Sequence, residues 1–231
     1  MPIPVNNRSI FIILPAFNEQ AVIKPVIEEL LAFDYQVIVV DDGSATGIYS
    51  LLTGMPVYLL RHEVNLGQGA ALQTGIEFAL SKDAQWLITF DADGQHDAAD
   101  IGKLILPLSN DEADIVFGSR FMEGAVHNMP VKRRSLLKIA RWLNYFFTGL
   151  LLTDAHNGLR AMNNKAAQKI RLRENGMAHA TEILSQAKKQ RLRYAEVPVN
   201  IRYTDYSRGK GQTTWSGFRV FFDLLLNKIF K

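Results

Sequence analysis

Two carboxylates one residue apart, Asp91 and Asp93, close an apolar run that passes through Trp86, Leu87, Ile88, Thr89 and Phe90. A run with β-branched and aromatic members reads as a buried strand. On an extended backbone alternate side chains share a side, which brings Asp91, Asp93 and Gln95 together. Paired carboxylates repel each other and lose hydration unless a cation lies between them. Three hard oxygen donors suit Mg2+ or Mn2+, and such an ion keeps positions open for phosphate oxygens. The spacing therefore points to a metal-assisted nucleotide site, with a solvated Asp-Gly turn as the structural alternative. His96 adjoins the motif as a candidate phosphate contact. His62, His127, His156 and His179 read as ordinary loop or helix positions, so the histidines form no zinc-type constellation.

The elements that must position these residues alternate in type. Apolar runs at residues 9–16, 36–40, 57–61, 86–90 and 115–117 read as strands. Between them, Ile23, Ile27, Leu30 and Leu31 have helical spacing, with Pro25 in the first turn, and residues 69–80 form a second helix. Continuous apolar strands alternating with helices imply an α/β fold, a mostly parallel sheet with helices on both faces. In such sheets ligands bind beyond the carboxyl ends of the strands. Residues 15–19, 41–44 and 91–95 all fall at those ends.

At 231 residues, 48% hydrophobic and 21% charged, the chain is of ordinary size for one α/β domain. The absence of cysteine excludes disulfide scaffolds, thiolate metal sites and cysteine nucleophiles, and suits a reducing cytosol. The first eight residues carry no signal-peptide apolar core, and no apolar run reaches the roughly 18 residues that span a bilayer. The net charge of +3 conceals a division. Residues 1–126 hold 6 Lys and Arg against 17 Asp and Glu, a net −11; residues 127–231 hold 20 against 6, a net +14. The basic half suits an anionic partner: nucleic acid, anionic lipid or a phosphate-bearing substrate. Residues 131–152 place Leu136, Ala140, Leu143, Phe147 and Leu150 on one helical stripe, and the tail places Trp215, Phe218, Phe222, Leu225 and Ile229 on another. Both are basic and aromatic, and are expected to lie in a membrane interface or to pack on the sheet or a partner chain.

Seven motifs occur in order: Pro15-Ala16-Phe17-Asn18-Glu19, Val40-Asp41-Asp42-Gly43-Ser44, Asn65-Leu66-Gly67-Gln68-Gly69-Ala70, Asp91-Ala92-Asp93-Gly94-Gln95-His96, Gly118-Ser119-Arg120, Gly158-Leu159-Arg160-Ala161 and Glu196-Val197-Pro198-Val199. Together they resemble family 2 glycosyltransferases with the GT-A fold, in the branch of dolichyl- and undecaprenyl-phosphate sugar transferases. The resemblance covers about residues 9–212 and implies a single domain over 1–231: a nucleotide-sugar and metal half (1–126), an acceptor half (127–212) and an amphipathic tail (213–231). It implies that Pro15, Ala16, Glu19, Asp41 or Asp42, Gly67, Gly69, Asp91 and Ala92 meet a UDP- or GDP-sugar, the two glycines by letting the backbone approach it. Asp91, Asp93 and Gln95 would bind the metal. Arg120, Arg160, Arg202, Arg208 and Lys210 would hold phosphate, the last three from a basic loop closing over the site.

A sugar-hydroxyl acceptor needs a carboxylate base, whereas a lipid phosphate, with a second pKa near 6, is already a nucleophile. Glu182 lies near where hydroxyl-accepting relatives carry a catalytic Asp, but Ile183 follows it where a second carboxylate is usual; Asp154 is the other candidate. Asp93, Arg120, Arg160, Glu182 and Asp154 are thus the candidate catalytic residues. The expected function is an inverting, metal-dependent transfer of sugar from nucleotide to polyprenyl phosphate, peripheral on the cytoplasmic face of the membrane. Attachment would be direct or through a small membrane-spanning partner, without nucleic acid. The alternatives are transfer to a saccharide hydroxyl, or a noncatalytic basic adaptor for anionic lipid or nucleic acid.

Overall fold

The computed structural model describes residues 5–125, 145, 146, 148–155 and 157–202. Seven strands form one sheet: β1 (Ile10–Ala16), β2 (Gln36–Asp41), β3 (Val57–Arg61), β4 (Trp86–Thr89), β5 (Ile115–Ser119), β6 (Arg160–Asn163) and β7 (Tyr194–Pro198). Six described helices accompany them: α1 (Ile23–Leu31), α2 (Tyr49–Leu52), α3 (Gln68–Ser81), α4 (Ile101–Ser109), α5 (Asn164–Lys169) and α6 (His179–Lys189). The strand order is β3-β2-β1-β4-β6-β5-β7. All neighbours are parallel except β6, which runs antiparallel between β4 and β5.

Alternation along β1 builds both layers of the core. Ile10, Ile12 and Leu14 face one cluster, with Ile23, Ile27 and Leu30 of α1 and Ile101, Leu104 and Leu108 of α4. Phe11 and Ile13 face the other, with Leu72 and Ile76 of α3, Ala166 and Ala167 of α5, and Ile183 and Leu184 of α6. A Cβ at Gly75 would stand 2.3 Å from Ile13 Cγ2, so α3 lies close on β1 because glycine is there. Pro15 is tolerated in a central strand because β4 has already ended: Thr89 pairs with Ile13, two residues earlier.

The five strands expected from apolar runs are all present, as are the two helices; β6, β7, α2 and α4 to α6 go beyond that expectation. The amphipathic helix expected over 131–152 lies mostly outside the described residues, and its far end differs. Residue 148 is helical, but Gly149 adopts φ 71°, donates its N–H to the Tyr145 carbonyl and ends the helix there. Leu150 leaves the expected stripe and, with Leu152, enters the α3–α6 core. The tail stripe from Trp215 lies outside the described residues.

Candidate active site

The loops after β1 and β2 are joined to each other. Asn18, at φ 57°, donates its N–H to Ser44 Oγ at 2.9 Å, and its side chain accepts from the Ala45 N–H at 3.2 Å. The Asp42 N–H bonds the Ala16 carbonyl at 2.8 Å. Pro15, Ala16 and Glu19 therefore border the same cleft as Asp41. The two candidate aspartates divide in role. Asp41 is buried and accepts from the Ser44 N–H at 3.1 Å, with Arg61 Nε 3.9 Å away. Asp42 has both carboxylate oxygens engaged: Oδ1 meets His62 Nδ1 at 2.7 Å and the Leu66 N–H at 2.9 Å, and Oδ2 accepts from the Gly67 N–H at 2.7 Å. Asp42 thus shapes the approach to α3. Its ring partner His62 also contacts Thr74 Oγ1 at 3.0 Å, so the expectation of an ordinary loop histidine is corrected.

Gly67 and Gly69 also have a different use from the one expected. Gly67 sits at φ 103°, and a Cβ there would lie 2.3 Å from the Asn175 carbonyl oxygen; at Gly69 it would lie 2.0 Å from that of Glu174. The Gly69 N–H bonds Asn175 O at 2.7 Å. These glycines admit the 174–176 backbone against α3.

Asp91 stands at the carboxyl end of β4 with a frame of its own. Gln68 Nε2 donates to Oδ1 at 2.9 Å, and His96 Nε2 lies 3.2 Å from Oδ2. A Cβ at Gly158 would fall 2.1 Å from that same Oδ2, so only glycine fits beside the carboxylate. Ala92 is buried behind it. Burial acts to raise the Asp91 pKa, yet the His96 hydrogen bond and the charges of His96 and Arg160 hold it below the usual carboxylate range. Asp93 goes the other way, pushed up by burial and by the Asp91 charge.

The segment from Asp91 is a turn rather than an extension of the strand, with Gly94 at φ 76°. Gln95 consequently supports Asp93 instead of standing beside it as a third ligand. Its backbone N–H donates to Asp93 Oδ1 at 3.0 Å and its side-chain amide to Oδ2. Among the described residues no three His, Asp or Glu side chains form a ready cation cage. Two repelling carboxylates with hard oxygen donors nevertheless fit a divalent ion that takes its remaining ligands from water and substrate phosphate.

Because β6 is antiparallel, its first residue lies beside the end of β4: Arg160 pairs with Thr89, whose Oγ1 donates to the Gly158 carbonyl at 2.6 Å. Arg160 is 2% exposed, and its Nε has no hydrogen-bond partner. Burial pulls its pKa down to about 10, while Asp91 and Asp154 act to raise it. Two other buried polar atoms, Asn157 Nδ2 and His96 Nδ1, are likewise unpartnered.

The other charged candidates are committed to the protein itself. Arg120 gives its backbone N–H and Nε to Asp154 Oδ2, at 3.1 and 2.6 Å, and Nη2 to Oδ1 at 2.9 Å. That bidentate pair is buried, so each of the two charges is engaged by the other. Glu196 anchors the same corner by accepting from the Thr153 N–H and Oγ1. Glu182 accepts from the backbone N–H groups of Arg173 and Glu174, at 2.9 and 3.0 Å, and from Gln186 Nε2. It clamps the loop that packs over Gly67 and Gly69. Arg202 reaches Glu29 at 3.0 Å and Asp97 at 2.7 Å, fastening the chain to α1 and the metal loop. Arg208 and Lys210 lie outside the described residues, as do His127 and His156.

Reading residue types missed Gln68, Gly158 and Asn157. Gln68 and Gly158 sit inside quoted motifs, and that membership was the available signal. His179, taken for an ordinary position, is buried at the start of α6 with Nδ1 2.8 Å from the Gly176 carbonyl. Burial and the Arg160 charge push its pKa down to about 4.

The strand order reverses between β1 and β4, with paired carboxylates at that switch point, and this architecture is of the GT-A kind. The family model for "Glycosyl transferase family 2" matches residues 11–171, and the chain belongs to that family. It is a glycosyltransferase. It is 33% identical over 246 residues to a UDP-N-acetylglucosamine--dolichyl-phosphate N-acetylglucosaminyltransferase of Methanococcus voltae, covering 97% of this chain and 98% of that one. It is 26% identical over 220 residues to the polyprenol monophosphomannose synthase of Mycolicibacterium smegmatis, covering 90% and 82%. Among solved structures, glucosyl-3-phosphoglycerate synthase from Mycobacterium tuberculosis, in complex with Mn2+, UDP-glucose and phosphoglyceric acid, superposes with a TM-score of 0.68 over 92% of this chain and 76% of that one, at 20% identity. That likeness shows the shared fold.

Proposed function

We propose that the chain transfers a sugar, with inversion, from a nucleotide-sugar donor to a polyprenyl phosphate at the cytoplasmic membrane surface. The observation that carries the reading is Arg160, a buried guanidinium beside Asp91 with an unpartnered Nε. A buried cation without a bonded anion is costly in a core and useful where a phosphate must bind. The engaged carboxylates support the acceptor class. Glu182 and Asp154 are both committed, and a phosphate nucleophile needs no base to remove a proton.

In this reading residues 15–19 and Asp41 receive the nucleoside. Asp91 and Asp93 would hold a divalent ion, Mg2+ or Mn2+, which when bound supplies Lewis-acid stabilisation of the departing nucleoside diphosphate. Gln68, His96 and Gly158 fix the Asp91 carboxylate, and Gln95 fixes that of Asp93. Arg160 orients the acceptor phosphate, whose oxygen forms the bond to the anomeric carbon as the bond to the diphosphate breaks. The similarity to polyprenyl-phosphate transferases supports this acceptor. No described helix is long and apolar enough to cross a membrane, and the +14 half suits attachment to an anionic surface.

The test is transfer from UDP-N-acetylglucosamine, UDP-glucose, UDP-galacturonate and GDP-mannose to undecaprenyl and dolichyl phosphate, with and without EDTA. Product from one donor, lost on chelation and restored by Mg2+ or Mn2+, is expected. No product from any donor, or indifference to EDTA, sinks the reading.

A further inference from the structure

We propose that His179 reads the donor's sugar: its Nε2 accepts a hydrogen bond from a hydroxyl or amide N–H of a nucleotide-activated hexose or N-acetylhexosamine. The inference deepens the transferase reading above and rests on it. His179 opens α6 and is 4% exposed. Its Cβ packs against Gly69, where an added Cβ would stand 2.9 Å away. The preceding residue, Gln68, holds Asp91, so the imidazole lies at the inner wall of the site. Both Arg160 and Asp91 act on it electrostatically.

The tautomer follows from the geometry. Nδ1 lies 2.8 Å from the Gly176 carbonyl, which can only accept, so Nδ1 carries the proton. Nε2 is then left with a lone pair and has no hydrogen bond to any described residue. Burial and the Arg160 charge both oppose a second proton and keep the ring neutral well below neutral pH. An acceptor in this place has a distinct use. The open atoms of Arg160 and Asn157 are N–H donors, matched to phosphate oxygens. Sugar hydroxyls and acetamido N–H groups donate to an acceptor, and the carboxylates Asp91 and Asp93 would be occupied by the ion they hold. A site that hydrogen-bonds such a group also rejects analogues that lack it, which makes His179 a specificity residue.

The experiment compares binding of each sugar nucleotide with binding of its own nucleoside diphosphate by calorimetry in Mn2+. UDP-N-acetylglucosamine, UDP-glucose and GDP-mannose serve as probes, against wild type, His179→Phe and His179→Gln at pH 7.5. For the donor that wild type prefers, His179→Phe is expected to lower the ratio of sugar-nucleotide to nucleoside-diphosphate affinity at least tenfold. Affinity for the diphosphate itself stays within about twofold, and His179→Gln, whose Oε1 accepts, recovers part of the loss. If wild type binds no sugar nucleotide, the transferase reading falls and this inference with it. If it binds one and the ratio survives in a folded His179→Gln and His179→Phe, or in the Gln variant shows no dependence on the sugar, only the inference falls.

Discussion

At the scale of single residues, function and stability oppose each other in Arg160. Its guanidinium is buried with an unpartnered Nε, so Arg160→Met, similar in length and uncharged, should raise stability by about 1–3 kcal/mol while reducing transfer at least 100-fold. Thermal melting beside initial rates checks both directions; a variant that loses both would mean the guanidinium is structural. His179 carries a pH consequence. Its proton binds near pH 6.5 in the unfolded chain but only at about 4 in the fold, so the unfolded state takes up the proton first. Stability is therefore complete above pH 6.5 and falls as pH drops towards 4, by at most about 3 kcal/mol. Arg160, Asp91 and Glu182 are the charges acting on the ring, and none changes this sign. Melting temperatures of His179→Gln should fall less steeply than wild type between pH 6.5 and 4.

Elements decide which charged residues are left for chemistry. Glu182 holds the Arg173–Glu174 backbone from the first turn of α6, and that loop in turn covers the start of α3. Glu182→Gln should destabilise by about 1–3 kcal/mol yet leave kcat within a few-fold when the protein is folded. A kcat loss above 100-fold at intact stability would restore Glu182 as a base. Gly158 gives the reverse pattern. Gly158→Ala places a methyl on Asp91 Oδ2, and transfer should fall at least 100-fold with a raised metal requirement, measured as the Mn2+ concentration for half-maximal rate. The first five strands are legible because each is a continuous apolar run, and Asp91 and Asp93 because a strand ends on them. β6 was not: four residues beginning with arginine look like loop, and only its neighbours β4 and β5 bury it. The roles of Glu182, Asp154, Asp42 and Arg202 were illegible for a related reason. Their partners are groups 4 to 173 residues away, and residue type alone does not tell a satisfied charge from an available one. Gly67 and Gly69 show the same ambiguity, since a need for close approach does not say what approaches.

For the whole molecule the division between a −11 and a +14 half makes a prediction about surfaces. Binding to vesicles of anionic phospholipid should weaken at least tenfold between 0.1 and 0.5 M salt, with little binding to neutral vesicles, as screening requires. Co-sedimentation measures it; salt-insensitive binding would point to apolar insertion or a protein partner. The order β4-β6-β5 has a consequence for how the chain is made. When Thr89 has left the ribosome, the free side of β4 has no partner until Asn163 is synthesised, several seconds later at about 5–20 residues per second. β5 cannot dock in the meantime, because β6 is the strand that joins it to the rest of the sheet. The nascent protein thus passes through an interval with an open apolar strand edge beside Asp91 and Asp93. Slowing translation after codon 163 should cost little, whereas slowing it between codons 90 and 160 should lower soluble yield by prolonging exposure of that edge.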